Sequence, residues 1–268
     1  MNRIEILNTL KKQPLIKQRS DEWYKLRENR LTASDLYDAV HSPHSLIKKK
    51  IKNVTYNSFS IPALKWGCMF EKIAIDAYSY VNKTNVNEFG LLINDKIDNF
   101  GASPDGITDE GIMVEIKCPY KREIKDGTIP DKYYYQMLGQ MAVCELDICD
   151  YVECKFVTYN TEEEYINNVE NLENYKHGII IEYKDNTYYY TKPYQDYKDN
   201  INEVSQKADA NNNNKCTYWV LELMNVQRVE FNNEKWNNQI KHKIKDYWQL
   251  YLTEKNNKPK HLFIEDSD

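Results

Sequence analysis

The sequence predicts an α/β fold, one domain with a C-terminal elaboration, on three observations. A stripe at helical spacing, Phe70, Ile73, Ala74, Ala77, Tyr78 and Val81, marks a core-facing helix. The run Ile112-Met113-Val114-Glu115-Ile116-Lys117 alternates with period two, as a strand does. Helical and strand segments then succeed one another with no clear linker between them. The 268 residues can bury a sizeable core. A composition of 41% hydrophobic and 29% charged residues is that of an ordinary globular chain. Thirty-six basic against forty-one acidic residues give a net charge of −5. That excludes a polybasic binder, but not an enzyme with a local basic cleft.

In chain order, Ser20 is placed to cap a short helix carrying Trp23, Leu26 and Arg27. Thr32 is placed to cap another, with Asp35 three residues on in a capping-box arrangement. After the helix at 70–81 come short strands at 90–93 and 100–103, the second ending in the turn signal Pro104-Asp105-Gly106. A helix is expected over 133–144, a strand over 151–157, and two strands within 178–191 around Lys184-Asp185-Asn186. Trp236, Ile240, Ile244, Tyr247, Trp248 and Tyr251 lie at helical spacing and read as a core stripe on a final helix. The asparagine run at 211–214 reads as a surface loop, and the acidic end at 265–268 as a frayed terminus.

Several function classes drop out. No apolar run approaches the ~20 residues of a membrane span, and the N-terminal segment has no continuous apolar core of a secretory signal. The six cysteines form no C-x-x-C pair, so neither a zinc ribbon nor an iron–sulfur cluster is expected, and they read as reduced, half-buried thiols. His41 and His44 form an H-x-x-H on a loop-like segment, where zinc is not expected, and no other histidine has metal spacing to a second. Lysine clusters at 48–52 and 241–245 fit phosphate contacts and solvated helix faces equally well.

Chemistry concentrates between Trp66 and Gln140. On the strand at 112–117, Ile112, Val114 and Ile116 point one way while Glu115 and Lys117 project together from the other face. If the strand at 100–103 pairs beside it, Asp105 comes near Glu115. Two carboxylates with one lysine suit a hard, oxygen-liganded cation and a water nucleophile. An E-x-K on a strand is by itself most often a surface ion pair. The upstream Ser-Pro-Asp-Gly and further blocks shift that balance.

SPDG followed by VEIKCP resembles the PD-(D/E)xK nuclease superfamily, and within it the lambda-exonuclease-like, YqaJ-type viral recombinases, of the kind found in large DNA viruses. EWYKLRENRLTASDL at 22–36 is similar to the family's W-x-x-x-R…T-A-S opening, and WGCMFEKIA at 66–74 to its W-G-x-x-x-E helix. ASPDG at 102–106 and VEIKCPY at 114–120 resemble its metal site, and YYYQMLGQMAV at 133–143 its glutamine-bearing helix. The blocks keep their order over about residues 19–157. One departure is Leu138, which replaces a second glutamine of the phage enzyme's helix.

The resemblance implies a restriction-endonuclease-like core, a central mixed sheet flanked by helices, with residues 158–268 as a strand-and-helix elaboration. It makes Asp105, Glu115 and the backbone carbonyl of Ile116 ligands of Mg2+, for which Mn2+ can substitute. Lys117 would activate or position the water, and Glu71 would support a second metal or its waters. Gln136 would sit by the active site, with Gln140 one turn on and on the same face. Arg27 and Ser34 would hold a terminal 5′-phosphate, and the N–H groups of the helix beginning at Thr32 would favour the anion. The implied activity is 5′→3′ digestion of linear double-stranded DNA, leaving 3′ single strands for recombination or repair. The implied partners are free-ended duplex DNA, a single-strand annealing protein and, by analogy with phage ring trimers, other copies of the chain. The implied setting is intracellular: the host cytoplasm or nucleus, or a viral replication site. An endonuclease or structure-specific nuclease on the same core, a catalytically silent recombination partner, and a metal hydrolase of another substrate are the alternatives.

Overall fold

β-Branched and aromatic residues build one long sheet, and a computed structural model shows its order. The structure describes residues 2–16, 18, 20–28, 30–52, 61–207 and 214–257. The acidic end, His261 and positions 211–213 of the asparagine run lie outside the described residues. The main sheet has seven strands. Across the sheet they run β2 (Val86–Asn87), β5 (Gly106–Thr108), β6 (Met113–Lys117), β7 (Ile148–Tyr159), β10 (Lys215–Glu230), β8 (His177–Glu182) and β9 (Tyr188–Tyr190). β6 and β7 are parallel, with Glu115 opposite Tyr151 and Lys117 opposite Glu153. Parallel neighbours need a crossover, and helix α6 (Asp131–Cys144) supplies it. The other pairings are antiparallel, so the sheet is mixed.

Alternation along β6 decides what covers each face. Val114 and Ile116 pack with Phe70, Ile73, Ala74 and Ala77 of helix α5 (Pro62–Asn82). Met113 packs on the opposite side with Met137, Leu138 and Met141 of α6. The strand is therefore covered on both faces, and Glu115 projects into the interior rather than into solvent. Pro62 starts α5 at a position that needs no intrahelical N–H bond, and Lys83 ends it in the left-handed region at φ 53°. Val81, expected in the core, is 46% exposed because the last turn of α5 outruns its cover; Tyr80 beside it is 50% exposed.

A three-stranded sheet, β1 (Leu31–Thr32), β4 (Phe100–Ala102) and β3 (Leu92–Ile93), packs beside α6. Gly139 permits the close approach: a Cβ there would stand 3.0 Å from Phe100 and Leu36 side-chain carbons. Helices α1 (Arg3–Leu10), α3 (Leu36–His41) and α4 (Pro43–Ile51) add to the same core, while α2 (Asp21–Glu28) lies on its surface with no fully buried residue. Helices α7 (Glu162–Val169) and α8 (Tyr197–Lys207) cover the β8–β10 end. The short helix α9 (Asn233–Lys235) passes through a π-helical turn at Trp236–Ile240 into α10 (Lys241–Asn256). The expected aromatic stripe does enter the core there through Trp236, Ile240, Ile244, Tyr247 and Tyr251. The C-terminal segment is woven into the main sheet: β10 pairs with β7 along that strand's whole length.

Candidate active site

Chain geometry at Asp105 differs from the expectation. The strand at 100–103 does not pair with 112–117; it is β4, held between β1 and β3 in the small sheet. The partner of β6 is β5, which starts at Gly106, immediately after Asp105. A tight hairpin makes the pairing: Thr108 N–H donates to the Ile112 carbonyl at 2.8 Å, and Gly111 adopts φ +74°. Asp105 thus sits where the chain crosses from one sheet to the other. Its Oδ2 accepts the Ile116 N–H at 2.6 Å, which fixes the carboxylate against β6.

Glu115 is fully buried and held from three sides. Lys117 Nζ ion-pairs with its Oε1. Gln136 Nε2 donates to the same oxygen at 2.6 Å, and Gln140 Nε2 donates to Oε2 at 2.7 Å. One turn of α6 therefore places both amides over the carboxylate, with Leu138 between them turned into the core. Glu71, on α5, acts on Asp105 through space. Burial drives the Asp105 carboxyl well above its ordinary range, and the Glu115 and Glu71 carboxylates push it further; Lys117 and the Ile116 N–H pull it partly back. Burial alone lowers the Lys117 pKa, but Glu115 and Asp105 outweigh that, so the ammonium is held above its ordinary value.

Asp105, Glu115 and Glu71 bring three carboxyl groups together beside the Lys117 ammonium. A divalent cation would relieve their mutual repulsion and favour the charged forms. Magnesium takes only one or two carboxylates and completes its shell with water, carbonyl and phosphate oxygens. Asp105, Glu115 and the Ile116 carbonyl are such a set of hard donors. Among the described residues no group of three His, Cys, Asp or Glu side chains forms a metal-holding cluster. Gln140 Oε1 is buried with no hydrogen-bond partner, an acceptor that the hydration shell of a cation would satisfy.

The second half of the site lies around Thr32. Ser20 Oγ accepts the Trp23 N–H at 3.3 Å and so caps α2, as expected. Arg27 then stacks on Trp23, its guanidinium carbon 4.1 Å from the ring centroid, and donates to Thr32 Oγ1 at 3.2 Å. Thr32 and Ser34 hydroxyls stand 3.1 Å apart. Burial lowers the Arg27 pKa, partly offset by Asp35. The capping expectation at Thr32 is corrected. Its hydroxyl caps nothing but donates to Asp35 Oδ2 at 3.3 Å, and the chain continues into a 3-10 turn, Ala33–Asp35, before the six-residue α3. That helix is too short to lend a dipole, so any anion affinity here rests on Arg27 and the hydroxyls.

Two residues that sequence reasoning did not assign tie the halves together. Trp23 Nε1 donates to Ser103 Oγ at 3.1 Å, and Gln140 Nε2 approaches the Ser103 carbonyl at 3.5 Å. Ser103 thus links the Arg27 cluster to the amide that grips Glu115. His44 pairs with Glu254, and His41 stacks on Tyr37 at 4.4 Å between centroids. Cys118, Cys144, Cys149 and Cys154 are buried thiols, and burial pushes Cys144 and Cys154 up to about 12. Lys50 is engaged by Asp35 at 3.1 Å, whereas Lys241 and Lys245 are exposed.

Residues 22–147, which carry both halves of this site, match the model of the YqaJ-like viral recombinase domain. Sequence relatives come from large DNA viruses. An uncharacterized protein of Acanthamoeba polyphaga mimivirus is 33% identical over 185 residues, which span 60% of this chain and 33% of that protein. A protein of African swine fever virus is 24% identical over 173 residues, 52% of this chain and 50% of that one. The chain thus spans half or less of the curated relatives it matches. An alkaline exonuclease of Laribacter hongkongensis, solved alone and in complex with dAMP, superposes with a TM-score of 0.55 at 20% identity. The match covers 88% of this chain and 95% of that one, and it shows the shared restriction-endonuclease-like fold. Among the described residues no helix is long and apolar enough to cross a membrane.

Proposed function

We propose that this YqaJ-like chain is a magnesium-dependent 5′→3′ exodeoxyribonuclease acting on the ends of linear duplex DNA. The observation that carries the reading is the linkage of an Asp105–Glu115–Lys117 cluster to an arginine–hydroxyl cluster through Ser103. Asp105, Glu115 and the Ile116 carbonyl would hold the cation, with Glu71 supporting its waters. When bound, magnesium, or manganese in its place, supplies Lewis acidity to the scissile phosphate and lowers the pKa of water at the site.

The chain's own residues do the rest. Lys117 keeps its proton beside Glu115, so it acts as a fixed positive charge that orients the attacking water and offsets charge developing on the phosphate. Gln136 and Gln140 hold Glu115 in one orientation, which fixes where the water and phosphate lie. Arg27 and Ser34 would take the 5′-phosphate, so that each cut leaves a new end for the same pocket. Contacts limited to phosphates make such digestion tolerant of sequence. The product is a 3′ single strand, the substrate of an annealing protein.

The test is digestion of end-labelled linear duplex with and without magnesium, beside 5′-hydroxyl and closed-circular substrates. Release of nucleotides from 5′-phosphorylated ends, with the circle intact, supports the exonuclease. Cleavage of the circle favours an endonuclease on the same core, and no metal-dependent digestion of any DNA overturns the proposal.

A further inference from the structure

Beside the catalytic lysine lies a second buried carboxylate that no reaction step uses. Glu153 stands opposite Lys117 in the parallel register of β6 and β7, so the two side chains project from the same sheet face. Its side chain is fully buried. Oε1 accepts the Tyr151 hydroxyl at 2.9 Å and pairs with Arg122 Nη2, while Oε2 is buried with no partner. Burying a carboxylate is costly unless it is paired, and such pairs rarely add net stability over apolar residues of similar size. What Glu153 achieves is placement. Arg122 lies on the exposed segment that leaves the catalytic strand and could extend into water. Instead its guanidinium is pinned at the rim of the site while its side chain stays 39% exposed. Both cations approach the ring of Tyr133, with Lys117 Nζ 5.0 Å and Arg122 Cζ 6.0 Å from its centroid. Besides Glu153, Arg122 donates through Nη1 to the Glu123 carbonyl at 3.3 Å, a small share of its five N–H donors.

Resting on the nuclease reading above, we propose that Arg122 is a second phosphate-binding residue. It takes a backbone phosphodiester next to the scissile one, and Glu153 is the positioning residue that holds it there. A guanidinium fixed on one edge keeps donors for two phosphate oxygens and loses little freedom when DNA arrives.

The experiment measures DNA binding against salt concentration, with 5′-phosphorylated duplex and Lys117→Ala as the non-cleaving parent. Arg122→Ala alone would strand Glu153 as an unpaired buried charge, so the comparison uses Glu153→Gln and Arg122→Ala/Glu153→Gln on that parent. All variants are first checked for the parent's circular dichroism and melting behaviour. Each phosphate contact contributes about 0.7 to 0.9 to the slope of log affinity against log salt. The expected result is a slope lower by about that amount in the Arg122→Ala/Glu153→Gln protein than in the parent. Glu153→Gln should keep the slope; a loss already at that step also supports the pair and makes Glu153 indispensable to it. Equal slopes in all three overturn the proposal. Failure of the underlying reading shows separately, as a parent that does not bind DNA and a wild type without metal-dependent digestion.

Discussion

Removing the Asp105 charge should move stability and activity in opposite directions. Without metal, Asp105 is a half-buried carboxyl group facing Glu115 and Glu71, with Lys117 and the Ile116 N–H in partial compensation. Asp105→Asn keeps an oxygen to accept the Ile116 N–H, now at 2.6 Å, but removes the repulsion with Glu115 and Glu71. Relief of this kind at a strained functional site typically stabilises by about 0.5–2 kcal/mol. At ~2–4 °C per kcal/mol, that is a rise in Tm of about 1–8 °C in EDTA. The pH dependence has a definite sign. A carboxyl raised in the folded state binds its proton more tightly there than in the unfolded chain. Relative to the variant, wild type in EDTA should therefore gain stability as pH falls from neutral toward the ordinary carboxylate range. Magnesium should reverse the order. At a hundred times its Kd it stabilises wild type by about 2.7 kcal/mol, whereas the variant has lost an anionic ligand. The assay is thermal melting of both proteins in EDTA and in magnesium. A variant that melts below wild type in EDTA, or a wild type indifferent to magnesium, would refute the reasoning.

Lys117→Ala should cut the cleavage rate by at least about 10^2- to 10^3-fold while duplex binding persists, because the loss falls on charge stabilisation in the chemical step; single-turnover kinetics beside a binding assay would show it. Arg27→Ala should bring the ratio of initial rates on 5′-phosphate and 5′-hydroxyl ends toward one, a loss of about 1.5–3 kcal/mol of charge-assisted contact, with slow metal-dependent cleavage surviving. His177, buried against the Tyr165 hydroxyl at 3.0 Å, has its pKa lowered by burial from the ordinary 6.5. The unfolded chain therefore takes up that proton first, so wild type should lose stability relative to His177→Gln as pH drops below about 6.5, read as a change in the Tm difference between the two proteins.

Strand β6 was legible because Glu115 and Lys117 share its parity and Val114 and Ile116 oppose them. Helix α6 was legible for a similar reason, since Gln136 and Gln140 lie one turn apart. The partner strand of β6 was not. Gly106–Thr108 is too short to show a period, so pairing fell to the nearer apolar run at 100–103, which the structure assigns to another sheet. Thr32 carried a capping pattern, yet its hydroxyl is drawn to Arg27 and Ser34 instead. Ser103 and Trp23 act only through contacts across the chain, and Glu153 and Arg122 gain meaning only from the register that sets Glu153 opposite Lys117. The place of β10 beside β7 rests on pairing that no local pattern encodes.

The most direct test of the account is where a divalent cation binds. Crystals of Lys117→Ala soaked in manganese should show one anomalous peak about 2.1 Å from carboxylate oxygens of Asp105 and Glu115 and from the Ile116 carbonyl. A peak elsewhere, or none, in a protein whose wild type digests DNA only with a divalent metal, would contradict the assignment of the reaction to this cluster.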